Sequence, residues 1–308
     1  MGYHRAVQKL VFTSALIGLT SCASQHDFTA VPVTERVKSP KVPGGDIAVL
    51  SELHLDLVPL YEKDGHIATS GFIASMLGLD RHRIESLSCY SQAPDDLAVR
   101  YSAPLVAVWG LPAYTGYRHD ILNSLHSLHG GNGQAVAYRR SKLEILVHQS
   151  FLTNQPDWQT GFLIHALGDS YAHVYSQGGQ LHAYGEFVGH AFENTPWGEK
   201  PDSIFVNGHA ETYLSYVSAL FRSLSPAGGA NEERKNLLAT FKARVRVEAE
   251  KGDDADKTAI FVMPKDSNFY TDIENSDKDC KQAYRRLNDG EVRLFLRALT
   301  LQLIQPKA

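Results

Sequence analysis

The stretch Phe162-Leu163-Ile164-His165-Ala166-Leu167-Gly168-Asp169-Ser170-Tyr171-Ala172-His173 carries the most informative set of ligand-type side chains in the sequence. His165, Asp169 and His173 stand at i, i+4 and i+8, and on an α-helix that spacing puts all three on one face. Two imidazoles and a carboxylate converging from one side suit Zn2+ or a similar divalent ion. His190 follows in Val188-Gly189-His190, past Gly178-Gly179, a pair that lets the chain turn back. His182 lies inside that loop and Asp202 beyond it. One histidine alone more often caps a helix or lines a polar surface. Three ligand-type residues in series on one helix face, with a fourth after a glycine turn, point to metal.

Further candidates lie upstream. His54 and Asp56 alternate in Leu53-His54-Leu55-Asp56, Asp95 and Asp96 follow Tyr90-Ser91-Gln92, and His119, His126 and His129 cluster around one short helix. Taken singly, each reads as a surface residue; their order along the chain raises them. Asp95 and Asp96 are also the candidate catalytic carboxylates, because an acid outside a metal's ligand set can take a proton from an attacking water. Tyr90, Trp109, Tyr171 and Trp197 are aromatic enough to line a cleft, although aromatics at such spacings usually serve the core.

The order histidine, aspartate, histidine, then His165-x3-Asp169, then a histidine past a loop resembles the zinc-dependent phospholipase C and S1/P1 nuclease superfamily. The run from His165 to His173, with Gly189-His190 and Pro201-Asp202 after it, is similar to a divergent branch of that superfamily. The resemblance spans about residues 50 to 205 and is specific only over 162–202. It implies an all-α metallohydrolase-like domain with irregular loops and two or three Zn2+ or other divalent ions. In that scheme His165 and Asp169 hold the central metals, with Asp169 bridging. Asp95 or Asp96, and His126 or His129, complete the first site; His173 and His190 bind a second ion, and His54 belongs to a third. The implied chemistry is hydrolysis of a phosphodiester or phosphomonoester, first as a phospholipase C-like enzyme on phospholipid, next as an S1/P1-like nuclease. A third reading, of another class, is a surface lipoprotein that keeps metal without catalysis. The chain departs from the better known enzymes in the distance from Asp169 to the next histidine. It departs again at Asn194, where they carry an acid: either Glu193 or Asp202 substitutes for it here, or that metal is absent.

The elements that must position these residues read as helices. Helical spacing of apolar residues predicts helices over 69–79, 83–90, 117–128 and 135–153. A further helix is expected from an Asp157 N-cap to about Val174, and others over 203–224, 232–250 and 290–304. The acidic stretch 252–279 reads as irregular surface, with one short strand at 259–262. Leu105 to Val108, bounded by Pro104, Gly110 and Pro112, reads as a turn-bounded segment. No internal repeat is present, and residues 46–308 read as one domain.

The start of the chain addresses the protein elsewhere. A weakly basic opening with His4, Arg5 and Lys9 precedes an uncharged, largely apolar run from Leu10 to Leu19. That run is too short for a stable membrane span of about 20 residues, and the pair reads as a cleavable signal, residues 1–21. Leu19-Thr20-Ser21-Cys22 resembles the lipobox of bacterial lipoproteins, which implies lipid on Cys22 as the mature N-terminus. It also implies a place in the bacterial cell envelope, at the outer membrane because Ala23 rather than aspartate follows. Residues 22–45, with Pro32, Pro40 and Pro43, read as a flexible tether. A lipidated N-terminus so far from His54 cannot serve as a metal ligand, as it does in the phospholipases. Without Arg5 and Lys9 the chain holds 28 basic and 34 acidic side chains, a net charge of −6 rather than −4. That sign disfavours long nucleic acid, which requires a basic track. With Cys22 committed to lipid, Cys89 and Cys280 remain as an even pair in an oxidising compartment and are a candidate disulfide.

Overall fold

A computed structural model describes residues 64–96, 115–186, 201–205, 208–252 and 280–305 of the 308-residue chain, together with 99, 103, 106, 255, 260 and 261. The expected signal and tether segments, Cys22, His54, Asp56, Trp109, His190 and Trp197 lie outside the described residues.

The fold is all-α. A π-helical turn (Asp64–Ala68) leads into α1 (Thr69–Met76), and Asp80 then caps α2 (Arg81–Gln92) by accepting from the Arg83 amide. A 3-10 turn (Ala93–Asp95) ends that arm. α3 (Thr115–His119) runs into a second π-helical turn (Asp120–Leu125). Asn132 caps α4 (Gly133–Leu152), which is followed by α5 (Asp157–Ala172). A two-stranded antiparallel hairpin, β1 (Val174–Gln177) and β2 (Gln180–Ala183), turns at Gly178-Gly179. Both glycines have positive φ, 59° and 77°, the backbone that a two-residue hairpin turn requires. α6 (His209–Ser223), α7 (Glu232–Ala249) and α8 (Asp289–Leu303) complete the order.

α5 is the axis of the molecule. Every residue from Gln159 to Ala172 is buried, so it is an interior helix rather than a one-sided one. It packs against α2, α4 and α6 and against both π-helical turns. Gly161 makes the tightest of these approaches: a Cβ there would fall 2.4 Å from the Tyr90 Cβ and 3.0 Å from the Ser91 amide nitrogen. Trp158 and Phe162 at the start of α5 stack edgewise on Phe295 of α8. Cys89 and Cys280 are joined by a disulfide, with Cα atoms 5.0 Å apart, and Tyr284 donates to the Cys89 carbonyl at 2.9 Å.

Several boundaries differ from the sequence expectations. Pro156, not Asp157, is the N-cap of α5 (φ −50°, ψ 132°); proline has no amide to satisfy, and Asp157 enters the first turn and pairs with Arg83 at 3.4 Å. α5 stops at Ala172, because His173 leaves helical geometry (φ −83°, ψ 53°) to start the hairpin. α6 starts at His209 rather than Ser203, since Gly208 adopts a left-handed φ of 78°. In the stretch 259–262, placed as a surface strand, Ile260 is helical and wholly buried. Phe261 beside it joins Phe72 and Phe241 in an aromatic cluster. Val106, expected in a turn-bounded segment, is helical and buried.

Candidate metal centre

Four elements deliver ligand-type side chains to one buried point. His165 and Asp169 come from one face of α5, and His173 is the residue that ends it. Asp95 closes the 3-10 turn after α2, and His126 follows the second π-helical turn. His66 comes from the first π-helical turn. π-helical turns re-aim side chains and concentrate at functional sites; here one contains a member of the group and the other directly precedes one.

Asp169 is the hub. Its Oδ1 lies 3.1 Å from His66 Nε2, and its Oδ2 lies 3.0 Å from His126 Nδ1, 3.2 Å from His165 Nε2 and 3.5 Å from His173 Nδ1. Asp95 faces the same groups from further off. Its Oδ2 is 3.5 Å from His66 Nε2, and its Oδ1 is 3.7 Å from His126 Nδ1 and 3.9 Å from His165 Nε2. Each carboxylate therefore turns one oxygen toward His66 and the other toward the His126–His165 pair. Those two imidazoles face each other at 3.2 Å, and His173 Nε2 meets Asp202 Oδ1 at 3.3 Å.

Backbone carbonyls set the tautomers. His165 Nδ1 is 2.9 Å from the Ser91 carbonyl, and a carbonyl only accepts, so Nδ1 carries the proton and Nε2 presents its lone pair inward. Gly161, one helical turn earlier, creates this contact by letting the Ser91 backbone reach α5. Ser70 and Ser91 hydroxyls both reach the His66 carbonyl, anchoring its turn to α2. His173 Nδ1 donates to the His126 carbonyl at 2.7 Å. The left-handed Ser127 (φ 53°) turns the chain directly after that carbonyl, and its hydroxyl donates to Ala166 O. A non-glycine residue in that conformation stores strain, which clusters at functional sites.

The arrangement fits a metal ion. Nitrogen and oxygen ligands bind Zn2+ at about 2.0–2.2 Å, so two ligands on one tetrahedral ion stand about 3.3 Å apart. His126 Nδ1, His165 Nε2 and Asp169 Oδ2 form a triangle with edges of 3.0, 3.2 and 3.2 Å, and Asp95 Oδ1 lies 3.7 and 3.9 Å from its two nitrogens. Three acceptor atoms this close repel unless protons or a cation lie among them. His66, His165 and Asp169 form a second such group, and Asp95, His126 and His165 a first, each with ligand atoms within 4.8 Å of one another. These buried groups can hold a metal ion.

The electrostatics agree. Burial pushes Asp95 up to about 7, with the Asp169 and Asp202 charges adding to it against His165 and His173. Burial also pushes Asp169 up, but the surrounding His165, His173 and His126 outweigh it and hold the carboxylate well below its usual range. Burial lowers His126 to about 4, the neutral form a ligand needs, and its Nε2 is buried with no hydrogen-bond partner among the described residues.

Of the residues singled out in the sequence, the structure brings together Asp95, His126, His165, Asp169, His173 and Asp202. His129 does not join them. Its Nδ1 accepts from the Gly131 amide at 3.1 Å, and its backbone bridges Gly185, because the chain has turned at Ser127. Asp96 lies past the 3-10 turn, outside both ligand groups. His119 instead pairs with Glu186 at 2.6 Å. His66 was not singled out; its only local signal is a histidine set between Gly65 and the apolar pair Ile67-Ala68. No family model, curated protein or solved structure matches the chain.

Proposed function

We propose that this protein is a metal-dependent phosphoesterase, tethered through Cys22 to a membrane and acting on a phosphodiester such as a phospholipid headgroup linkage. The observation that carries the reading is the pair of carboxylates, Asp95 and Asp169, each dividing its oxygens between His66 and the His126–His165 pair. Such a divided set suits two ions sharing bridging carboxylates. The resemblance of residues 162–202 to zinc-dependent phospholipase C supports the same reading. Imidazole and carboxylate ligands suit Zn2+ best among abundant divalent ions.

A divalent ion held there supplies a lowered water pKa and a positive charge facing a phosphoryl oxygen. The chain's own part is to orient and to move a proton. Ser91 and His126 carbonyls lock His165 and His173. Asp95 makes the longest reaches in the group; with Asp169 bridging alone, it would be the carboxyl to take the proton of the attacking water. Full burial of His66, His165 and Asp169 favours a second reading, a closed structural metal site without catalysis.

Metal content of the purified protein, paired with a substrate panel, tests both. Zn2+ bound at one or more equivalents, with hydrolysis of phosphatidylcholine or bis-p-nitrophenyl phosphate that His165→Ala and Asp169→Ala abolish, is the expected result. Metal without hydrolysis of those substrates or of single-stranded DNA selects the structural reading. No bound metal, or activity surviving both substitutions, rejects the proposed centre.

A further inference from the structure

Tyr216 on α6 is wholly buried, and its hydroxyl has no hydrogen-bond partner among the described residues. An unpaired buried hydroxyl destabilises a fold, and other buried tyrosines avoid that cost. Tyr213 shares a 2.7 Å hydrogen bond with Thr69, and Tyr284 donates to the Cys89 carbonyl. Phenylalanine would fill the site of Tyr216 without the penalty, so the oxygen needs another reason to be there.

Its position supplies one. A Cβ on Gly168 would lie 3.3 Å from Tyr216 Cζ, the atom bearing the hydroxyl, and 3.1 Å from His66 Cε1. The phenol end and the imidazole edge therefore both border the space over the bare Cα of Gly168, the residue before Asp169.

We propose that Tyr216 is a positioning residue of the centre, whose hydroxyl supports the His66–Asp169 side of the ligand set once metal is bound. This rests on the metal-binding reading above. Partners that orient metal ligands typically contribute about 10- to 100-fold in metal affinity.

The test compares wild type, Tyr216→Phe and Tyr213→Phe, measuring Zn2+ affinity by competition with a chromophoric chelator and the Tm of the metal-free protein. Tyr216→Phe is expected to weaken Zn2+ binding by about 10- to 100-fold while its metal-free Tm holds or rises. Tyr213→Phe, which breaks a bond already made in the fold, is expected to lower the Tm and keep the affinity. Unchanged affinity in Tyr216→Phe overturns the proposal. So does a lower metal-free Tm or a failure to fold, because either means that the hydroxyl is bonded without metal. A wild-type protein that binds no Zn2+ rejects the metal centre and this role with it, whereas tight wild-type binding unaffected in Tyr216→Phe rejects the role alone.

Discussion

Asp169 and Asp202 flank His173, and the consequence is a measurable pH dependence. Burial alone would lower His173, but the two carboxylates and the His126 carbonyl outweigh it and hold the imidazole up to about 9. A group raised in the folded state contributes its full stability below its unfolded value, 6.5 here, and loses it as pH rises through the folded value. The metal-free protein is therefore expected to lose thermal stability between pH 6.5 and about 9. His126 and His129, both pushed down to about 4 by burial, act in a lower window. Their contribution is complete above 6.5 and falls away toward pH 4. Metal binding needs imidazoles free of their inward protons, so loaded protein should not show the upper loss. Melting curves from pH 6 to 9.5 in chelator and in Zn2+ check this, and a flat chelated profile above pH 6.5 would refute it. At this scale the sequence was informative where spacing carries the information. His165 and Asp169 are one turn apart on one helix, and no tertiary knowledge is needed to pair them. His66 was not legible, because a π-helical turn and two serine contacts aim it and no short-range pattern encodes them. His129 misled because proximity to His126 in sequence says nothing of the left-handed Ser127 between them.

Helix packing converts these residues into a centre, and α5 with α2 is the pair that matters most. Glycine inside a helix costs about 0.5–1 kcal/mol relative to alanine, yet α5 contains Gly161 and Gly168, each facing a close neighbour. Gly161→Ala forces its new Cβ against the Tyr90 backbone and side chain, which the flexible end of a side chain cannot relieve. The expected cost is about 1–3 kcal/mol from overpacking, read by urea unfolding, with weaker metal binding as α2 withdraws the Ser91 carbonyl from His165. A variant as stable as wild type would show that the two helices are not held at this distance. Most helices could be read from apolar periodicity, since their buried faces are long. The hairpin is not legible in the sequence although its glycine turn is: β1 and β2 are four residues each, too short for alternation to compete with the helix running into them. Residues 260 and 261 are not legible as core because the acidity of their neighbours masks the buried Ile260 and the Phe261 ring that completes the Phe72–Phe241 cluster.

For the whole molecule, the proposed lipid on Cys22 makes its own prediction. Cys22→Ser, expressed in a bacterial envelope, should move the protein from the detergent phase and membrane pellet to the soluble fraction while leaving Zn2+ content unchanged. Retention on the membrane would reject lipidation at that residue. Among the described residues no helix is long and apolar enough to cross a membrane.

The Cys89–Cys280 bond spans 191 positions of sequence, and Asp95, His126, His165, Asp169, His173 and Asp202 all lie within the ring it closes. Of the converging groups only His66 lies outside. A protease that nicks the backbone once within the ring opens it without releasing either piece, and both stay covalently joined to the N-terminal arm. A nick between His66 and Cys89 does the opposite: it frees the whole ring from that arm and from any lipid on Cys22, and separates His66 from its partners. The chain is thus divided into a stretch where cleavage is survivable and a short one where it is decisive.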